Sequence, residues 1–134
     1  MAGSTNPMQY AIENAVVRVE YMDGTHDELM LVPPVNWCPI NEDLVENTKA
    51  FPVPKVRPYR IGLSSGIVSR HLFRDSQLPE SSLNKVKKAQ VEIPGGAATM
   101  LDMPLNPKKK LRSITLRTLS NEVVIGLMGI TLQK

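Results

Sequence analysis

The segment "VVRVEYMDGTHDELMLV", residues 16–32, constrains the fold of this chain more than any other stretch. Its first half alternates apolar with charged side chains, the period of a strand with one buried face: Val17, Val19 and Tyr21 against Arg18 and Glu20. Asp23-Gly24 follows, and glycine accepts the positive φ that a two-residue hairpin turn requires. Leu29 and Leu31 then share one face of a second strand. The segment therefore predicts a β-hairpin.

Proline limits the structures that the middle of the chain can adopt. Pro33 and Pro34 end the second strand, and residues 35–58 hold too many further prolines for a central strand or a long helix. We expect that stretch to be an ordered loop crossing the fold. Residues 59–68 resume as a broken strand, whereas residues 70–88 are polar, have no clear period and are predicted to be a mobile excursion.

The last third returns to strand patterns. Residues 89–105 are predicted to form a strand with a bend or bulge at Gly95-Gly96. Residues 111–120 alternate and residues 123–132 are apolar on both faces, so they predict a second hairpin closed by the turn "SNE". The side chains expected to be deeply buried in it are Ile114, Ile125 and Leu127.

Short strands separated by turns, without a convincing amphipathic helix, predict an all-β fold. The specific expectation is an antiparallel β-sandwich, jelly-roll-like, formed as one domain by residues 1–134. A small closed OB-like barrel is the alternative. No window approaches the roughly 20 apolar residues of a membrane span, and no signal peptide is visible at the N-terminus.

Charge is distributed unevenly although the net charge is only +3. Residues 1–50 carry eight acids and two bases, and residues 51–134 carry fourteen bases and five acids. One hypothesis is a stand-alone polyanion- or nucleic-acid-binding domain whose basic face combines Lys85, Lys87, Lys88, Lys108, Lys109, Lys110, Arg112 and Arg117. Aromatic residues are not interleaved with these bases, as single-strand binding favours. We therefore expect a solvated turn at the three consecutive lysines and no nucleic-acid partner.

Metal and cofactor chemistry finds little support in the sequence. His26, His71 and the single Cys38 have no ligand spacing, so no metal site and no cofactor are predicted. Cys38 is expected to be a small buried hydrophobe. A calcium site is chemically possible for hard carboxylate oxygens, but no regular loop spacing supports one from Asp23, Asp27, Glu42 or Asp43.

Catalytic patterns are equally scarce. No nucleophile elbow, P-loop or dinucleotide glycine motif occurs. Glu42, Asp43 and Glu46 offer a paired-carboxylate glycosidase site, but neighbouring side chains point apart unless a loop redirects them. We predict that this chain alone is not an enzyme.

Carbohydrate binding needs an aromatic platform with planar polar side chains at its rim. Trp37 and Tyr59 fall in or beside the proline-rich crossing, with polar partners nearby in Asn36, Glu42, Asp43 and Arg57. The competing interpretation, which we favour, places Trp37 in the core beneath the loop and Tyr59 at the start of a strand, because large aromatics are highly buried on average.

Four segments in order carry a family resemblance: "GSTNPMQ", "VVRVEYMDGTHDELMLVPPVNWCPINEDL", "IPGGAATMLDMPL" and "LRSITLRTLSNEVVIGLMGITL". They resemble the C-terminal portion of a family of large, poorly characterised secreted proteins encoded among polysaccharide-utilisation genes of gut Bacteroidetes. The resemblance covers most of the chain outside residues 70–88 and supplies no catalytic residues.

The resemblance implies a β-sandwich attached to a larger carbohydrate-active protein, a possible glycoside hydrolase, in the periplasm or outside the cell. On this basis we expect a C-terminal fragment, with the catalytic region of the parent protein as partner and polysaccharide as a further one. The sequence leaves the oligomeric state open.

Overall fold

The computed structural model describes residues 11–44, 56–70 and 90–133. These residues form eight strands and no helix: β1 (Ala15–Tyr21), β2 (His26–Leu31), β3 (Glu42–Leu44), β4 (Arg60–Gly62), β5 (Val68–Ser69), β6 (Gln90–Glu92), β7 (Ala97–Thr99) and β8 (Leu111–Thr118). The strands make three antiparallel sheets, in the orders β2-β1-β8, β3-β6 and β5-β4-β7. The all-β prediction is confirmed for this part of the chain. The predicted excursion lies outside the described residues beyond Arg70.

The predicted first hairpin is confirmed in position and in the orientation of its side chains. Val17 lies between Leu29 of β2 and Leu116 of β8, and these three side chains share the face that meets the core. On the opposite face Arg18 forms ion pairs with Glu20 and Glu28. The sheet therefore has one apolar face and an opposite face that carries these ion pairs, an arrangement common in antiparallel sheets, although Val16 on that opposite face is also buried at 3% exposure.

The main core lies beneath the loop after β2. Trp37 is 0% exposed and packs with Ala15, Leu31 and Val123. Asn36 fixes the loop, because its Oδ1 accepts a hydrogen bond from the Val32 amide and its Nδ2 donates to the Met30 carbonyl. The expected ordered crossing is thus confirmed where the structure describes it, except that its Glu42–Leu44 part forms β3.

Residues 38–41 run between the other two sheets and connect them. The Cys38 amide donates to Thr99 Oγ1, and the Ala97 amide donates to the Ile40 carbonyl. Gly96 has a φ of +77°, and a Cβ there would meet the Ile40 carbonyl oxygen at 2.9 Å, so only glycine fits this bend. The bend predicted at the glycine pair is confirmed, and Cys38 is buried as expected.

The second predicted hairpin is only half present. β8 forms, and the Val123 amide donates to the Ser120 carbonyl in the expected turn, but residues 123–132 do not form a strand. The expected deep burial is wrong for Leu127, which is 56% exposed, and Ile114 and Ile125 are only partly buried.

This difference has a physical cause. After the turn the chain crosses onto the core face of the first sheet, where Val123 and Ile125 pack, instead of returning beside β8. The apolar pattern of residues 123–132 showed that the segment has no polar face. A strand also needs a hydrogen-bonded neighbour, and the pattern does not indicate which segment that neighbour is.

Candidate functional site

The two aromatic residues of the predicted sugar platform lie in different environments. Trp37 is enclosed in the core, so its indole offers no face to a ligand. Tyr59 directly precedes β4 and is 48% exposed. Any stacking role on the described surface therefore falls to Tyr59.

The predicted polar partners are spread through the fold as well. The side-chain amide of Asn36 forms hydrogen bonds with backbone groups beside it in the chain. Arg57 is 9% exposed. Glu42 and Asp43 lie in β3, where their backbones pair with β6. The structure assigns Asn36 a local structural role.

Tyr59 belongs to an apolar surface that the sequence analysis did not identify. Side chains alternate between the two faces of a strand, so Tyr59, Ile61 and Leu63 share one face while Arg60 and Gly62 are buried on the other. Cross-strand neighbours extend this face: Val68 pairs with Ile61, and the Met100 amide donates to the Tyr59 carbonyl at 2.7 Å. We call the surface of Tyr59, Ile61, Leu63, Val68 and Met100 the open sheet face.

The exposure of the open sheet face is considerable. Tyr59, Leu63, Val68 and Met100 each keep between 42% and 53% of their surface in solvent. Arg70 stands at its edge, with the guanidinium carbon 4.2 Å from the centre of the Tyr59 ring, a cation–π distance. The face is thus apolar and half exposed, and the positive charge of Arg70 borders it.

Arg60, on the buried face of the same strand, is a residue that sequence reasoning missed. It is 2% exposed, and its guanidinium donates to the carbonyls of Glu42, Pro39 and Ala97. The sequence "YRIGL" did contain a signal for this residue, because period-2 alternation puts Arg60 on one face of the strand and Tyr59 and Ile61 on the other. An arginine that alternates with apolar residues is usually assigned to the solvent face of a strand. Here Arg60 is on the buried face and the apolar side chains are on the exposed face.

The lysine turn is tied to the first hairpin. Lys109 Nζ lies 3.0 Å from Asp23 Oδ2 and donates to Thr25 Oγ1 at 2.6 Å. The Asn106 amide donates to the Tyr21 hydroxyl, which in turn donates to Asp27 Oδ2 at 2.6 Å. The predicted turn is present, yet its middle lysine is engaged within the fold, and only Lys108 and Lys110 extend into solvent as exposed side chains.

These contacts shift two pKa values. The hydroxyl and amide of Thr25 donate to Asp23, and together with the Lys109 ammonium they lower the pKa of Asp23 from 3.8 to about 2. The hydrogen bond to the Asp27 carboxylate raises the pKa of Tyr21 above its ordinary value. The largest cause of each shift is a hydrogen bond within the first hairpin, from Thr25 to Asp23 and from Tyr21 to Asp27, and the contacts with the lysine turn contribute less.

A pH-dependent contribution to stability is expected from the Asp23 contacts. Because the folded state lowers this pKa, the stabilisation is fully present above the unfolded value of 3.8 and is lost as pH falls through about 2. We expect wild type to exceed Asp23→Asn in free energy of unfolding at neutral pH, with the difference shrinking below pH 3.8. Urea denaturation across this range measures it. In Lys109→Met the pKa of Asp23 should be lowered less, so the difference should be smaller and its loss should be complete at a higher pH. A difference that is independent of pH would contradict the assignment.

Metal ligands are not clustered in the part of the chain that the structure describes. No three His, Cys, Asp or Glu side chains among these residues are arranged to hold an ion. Asp23 and Asp27, two of the acids considered for calcium, instead accept hydrogen bonds from Thr25 and Tyr21. Within the same residues no helix has the length and apolar character to cross a bilayer.

Comparison of the chain with protein-family models, with curated proteins and with solved structures yields no match.

Proposed function

We propose that this chain is a non-catalytic accessory β-domain of a carbohydrate-active protein, and that it packs against the catalytic region of that protein through the open sheet face. The sandwich architecture is part of the proposal, because a covering layer on this face would complete two-sheet packing. The setting, periplasmic or extracellular and linked to polysaccharide use, comes from the family resemblance.

The observation that carries the proposal is the contrast between the outer faces of two sheets. The first sheet presents Arg18, Glu20 and Glu28 to solvent, as a solvated face requires. The third sheet instead presents the apolar side chains of the open sheet face. Contiguous exposed apolar surface on a soluble domain marks a contact site, since each Å² removed from water contributes roughly 25 cal/mol.

Direct but weak glycan binding is a second use of the same surface. An aromatic ring stacks on the apolar side of a sugar, and planar groups beside it donate hydrogen bonds to hydroxyls. Tyr59 supplies the ring and Arg70 the planar donor, although the guanidinium already covers part of the ring. Protein packing is the stronger proposal because four of the five side chains of this face are aliphatic.

Accessibility of the open sheet face tests the packing. A cysteine introduced as Val68→Cys should react readily with a maleimide in this chain and become protected in the full-length polypeptide encoded by the same open reading frame. Thr115→Cys, on the solvated face of the first sheet, is the matched control and should react in both. Equal reactivity of Val68→Cys in both proteins, or a reading frame without a catalytic region, would overturn the proposal.

Direct glycan binding is tested by a separate measurement. Calorimetry of wild type and Tyr59→Ala with a panel of plant and host polysaccharides should detect at most weak heat for wild type, and none for the variant. Binding that survives Tyr59→Ala would place the sugar elsewhere. Because Tyr59 is half exposed, this substitution should leave the fold intact, which circular dichroism can verify.

A further inference from the structure

The strongest unexplained feature of the molecule is its last described segment. Residues 124–132, which we call the C-terminal apolar segment, follow Val123 without a turn or a bend. Within the described chain no backbone hydrogen bond joins them to another segment. Their large apolar side chains are mostly in solvent: Val124 72%, Leu127 56%, Met128 46%, Ile130 58% and Leu132 57%.

This segment has the composition of a strand and not of a solvated tail. Residues 123–133 contain no charged side chain and no proline, and besides the packed Val123 and Ile125 they include the β-branched residues Val124, Ile130 and Thr131. Tails that stay in solvent are usually polar or charged. An uncharged apolar segment with unpaired backbone groups is a ready template for pairing with another chain.

The same chain also carries an unoccupied strand edge. β8 pairs with β1 along one side, and among the described residues no strand pairs with its other side. The edge is eight residues long and the C-terminal apolar segment is nine, so their lengths match. Arg117 is exposed and pairs with Val16 on the face opposite Val17, so its charge would remain in solvent when the edge is covered.

Among the described residues the segment does not pair with its own free edge. Val123 and Ile125 hold its start on the core face of the first sheet. The free edge belongs to β8, the outermost strand of the same sheet. A second copy has no such restriction. It offers the same edge and the same segment in a new orientation, so two copies can satisfy each other reciprocally, as a two-fold interface requires.

We propose that the C-terminal apolar segment of one copy adds as a strand to the free edge of β8 in a second copy, and that the exchange is reciprocal and closes a dimer. Each strand contact would be about 30 Å long. Two such contacts are needed to approach the roughly 800 Å² per partner of a stable interface. This surface is distinct from the open sheet face, so the dimer is compatible with the proposed packing on a larger protein.

Sedimentation across a dilution series tests the dimer. Wild type should sediment as a dimer that dissociates on dilution. Ile130→Lys places a charge in the exchanged strand and should raise the dissociation constant about tenfold or more, an effect of about 1.4 kcal/mol. Val68→Lys is the matched control, because Val68 is similarly exposed at 53% but lies on the open sheet face, and it should remain dimeric.

A variant that lacks residues 126–134 provides a second test in case Ile130→Lys fails to fold. It keeps Val123 and Ile125 in the core and retains the β8 edge, so it should fold as a monomer by circular dichroism and sedimentation. A wild type that is monomeric at every concentration would sink the proposal. So would a dimer that survives the deletion, a dimer that Val68→Lys disrupts, or an open-ended polymer in place of a closed pair.

Discussion

Replacing Trp37 with alanine is expected to lower the free energy of unfolding by about 3–5 kcal/mol, the range for truncating a buried large aromatic. The indole is 0% exposed and packs on Ala15, Leu31 and Val123, which come from three separate parts of the chain. Its removal leaves a cavity at the point where β1, the loop after β2 and the C-terminal turn meet. The surrounding sheet cannot collapse into that space, because β1 is hydrogen-bonded on both edges.

Urea denaturation followed by far-ultraviolet circular dichroism measures the loss. Tyr59→Ala is the matched control, since this aromatic side chain is 48% exposed, and it should change stability by no more than about 0.5 kcal/mol. Trp37 is also the only tryptophan, so native wild type should emit at short wavelength and resist iodide quenching. A loss for Trp37→Ala below about 1 kcal/mol would contradict the core placement, because buried large-to-small changes cost more than that.

Local sequence patterns predicted those parts of the fold that depend only on residues close together in the sequence. The hairpin of β1 and β2 needs only period-2 alternation and Gly24, whose φ of 83° is the positive value that the turn demands. Gly96 likewise reflects a local backbone need, since a Cβ would meet the Ile40 carbonyl. In the hairpin a short stretch of sequence contains the whole physical reason for the structure, and at the glycine pair it contains enough to locate the bend.

Strand pairing over long distances was not predictable in the same way. Val17 of β1 pairs with Leu116 of β8, and nothing in either segment identifies the other as its partner. The apolar pattern after Ser120 suggested that β8 pairs with the segment directly after it. Periodicity reports which face of a segment is apolar, whereas the choice of neighbour depends on how all the apolar faces pack together.

The candidate site shows the same division. Sequence reasoning grouped Asn36 with Trp37 because they are adjacent, but adjacent side chains serve different purposes when one enters the core and the other caps a loop. The open sheet face is assembled from β4, β5 and the residue after β7, so no single motif predicts it. Of the proposed platform only Tyr59 lies on it.

Arg60→Ala is expected to destabilise the protein by about 3 kcal/mol or more, because a buried carbonyl that loses its donor costs about 1–3 kcal/mol. Arg60 is 2% exposed and donates to three carbonyls, those of Pro39, Glu42 and Ala97. These acceptors belong to β7, to β3 and to residues 38–41, which connect the second and third sheets. The alanine variant would leave all three without this donor, and the carbonyls of Pro39 and Ala97 would stay buried.

Hydrogen exchange locates the effect. The amides of Ala97 and Ile93 donate to Ile40 and Asn41, so they should exchange faster in Arg60→Ala, while amides of the distant β1 keep their relative protection. Arg60→Lys should recover part of the stability, because one ammonium cannot reproduce the planar fork of a guanidinium. Arg112→Ala is the exposed control and should stay within about 0.5 kcal/mol of wild type. Removing Arg60 also removes the cost of burying a charge, so a loss below about 1 kcal/mol would mean that water reaches the three carbonyls and that Arg60 does not join the sheets.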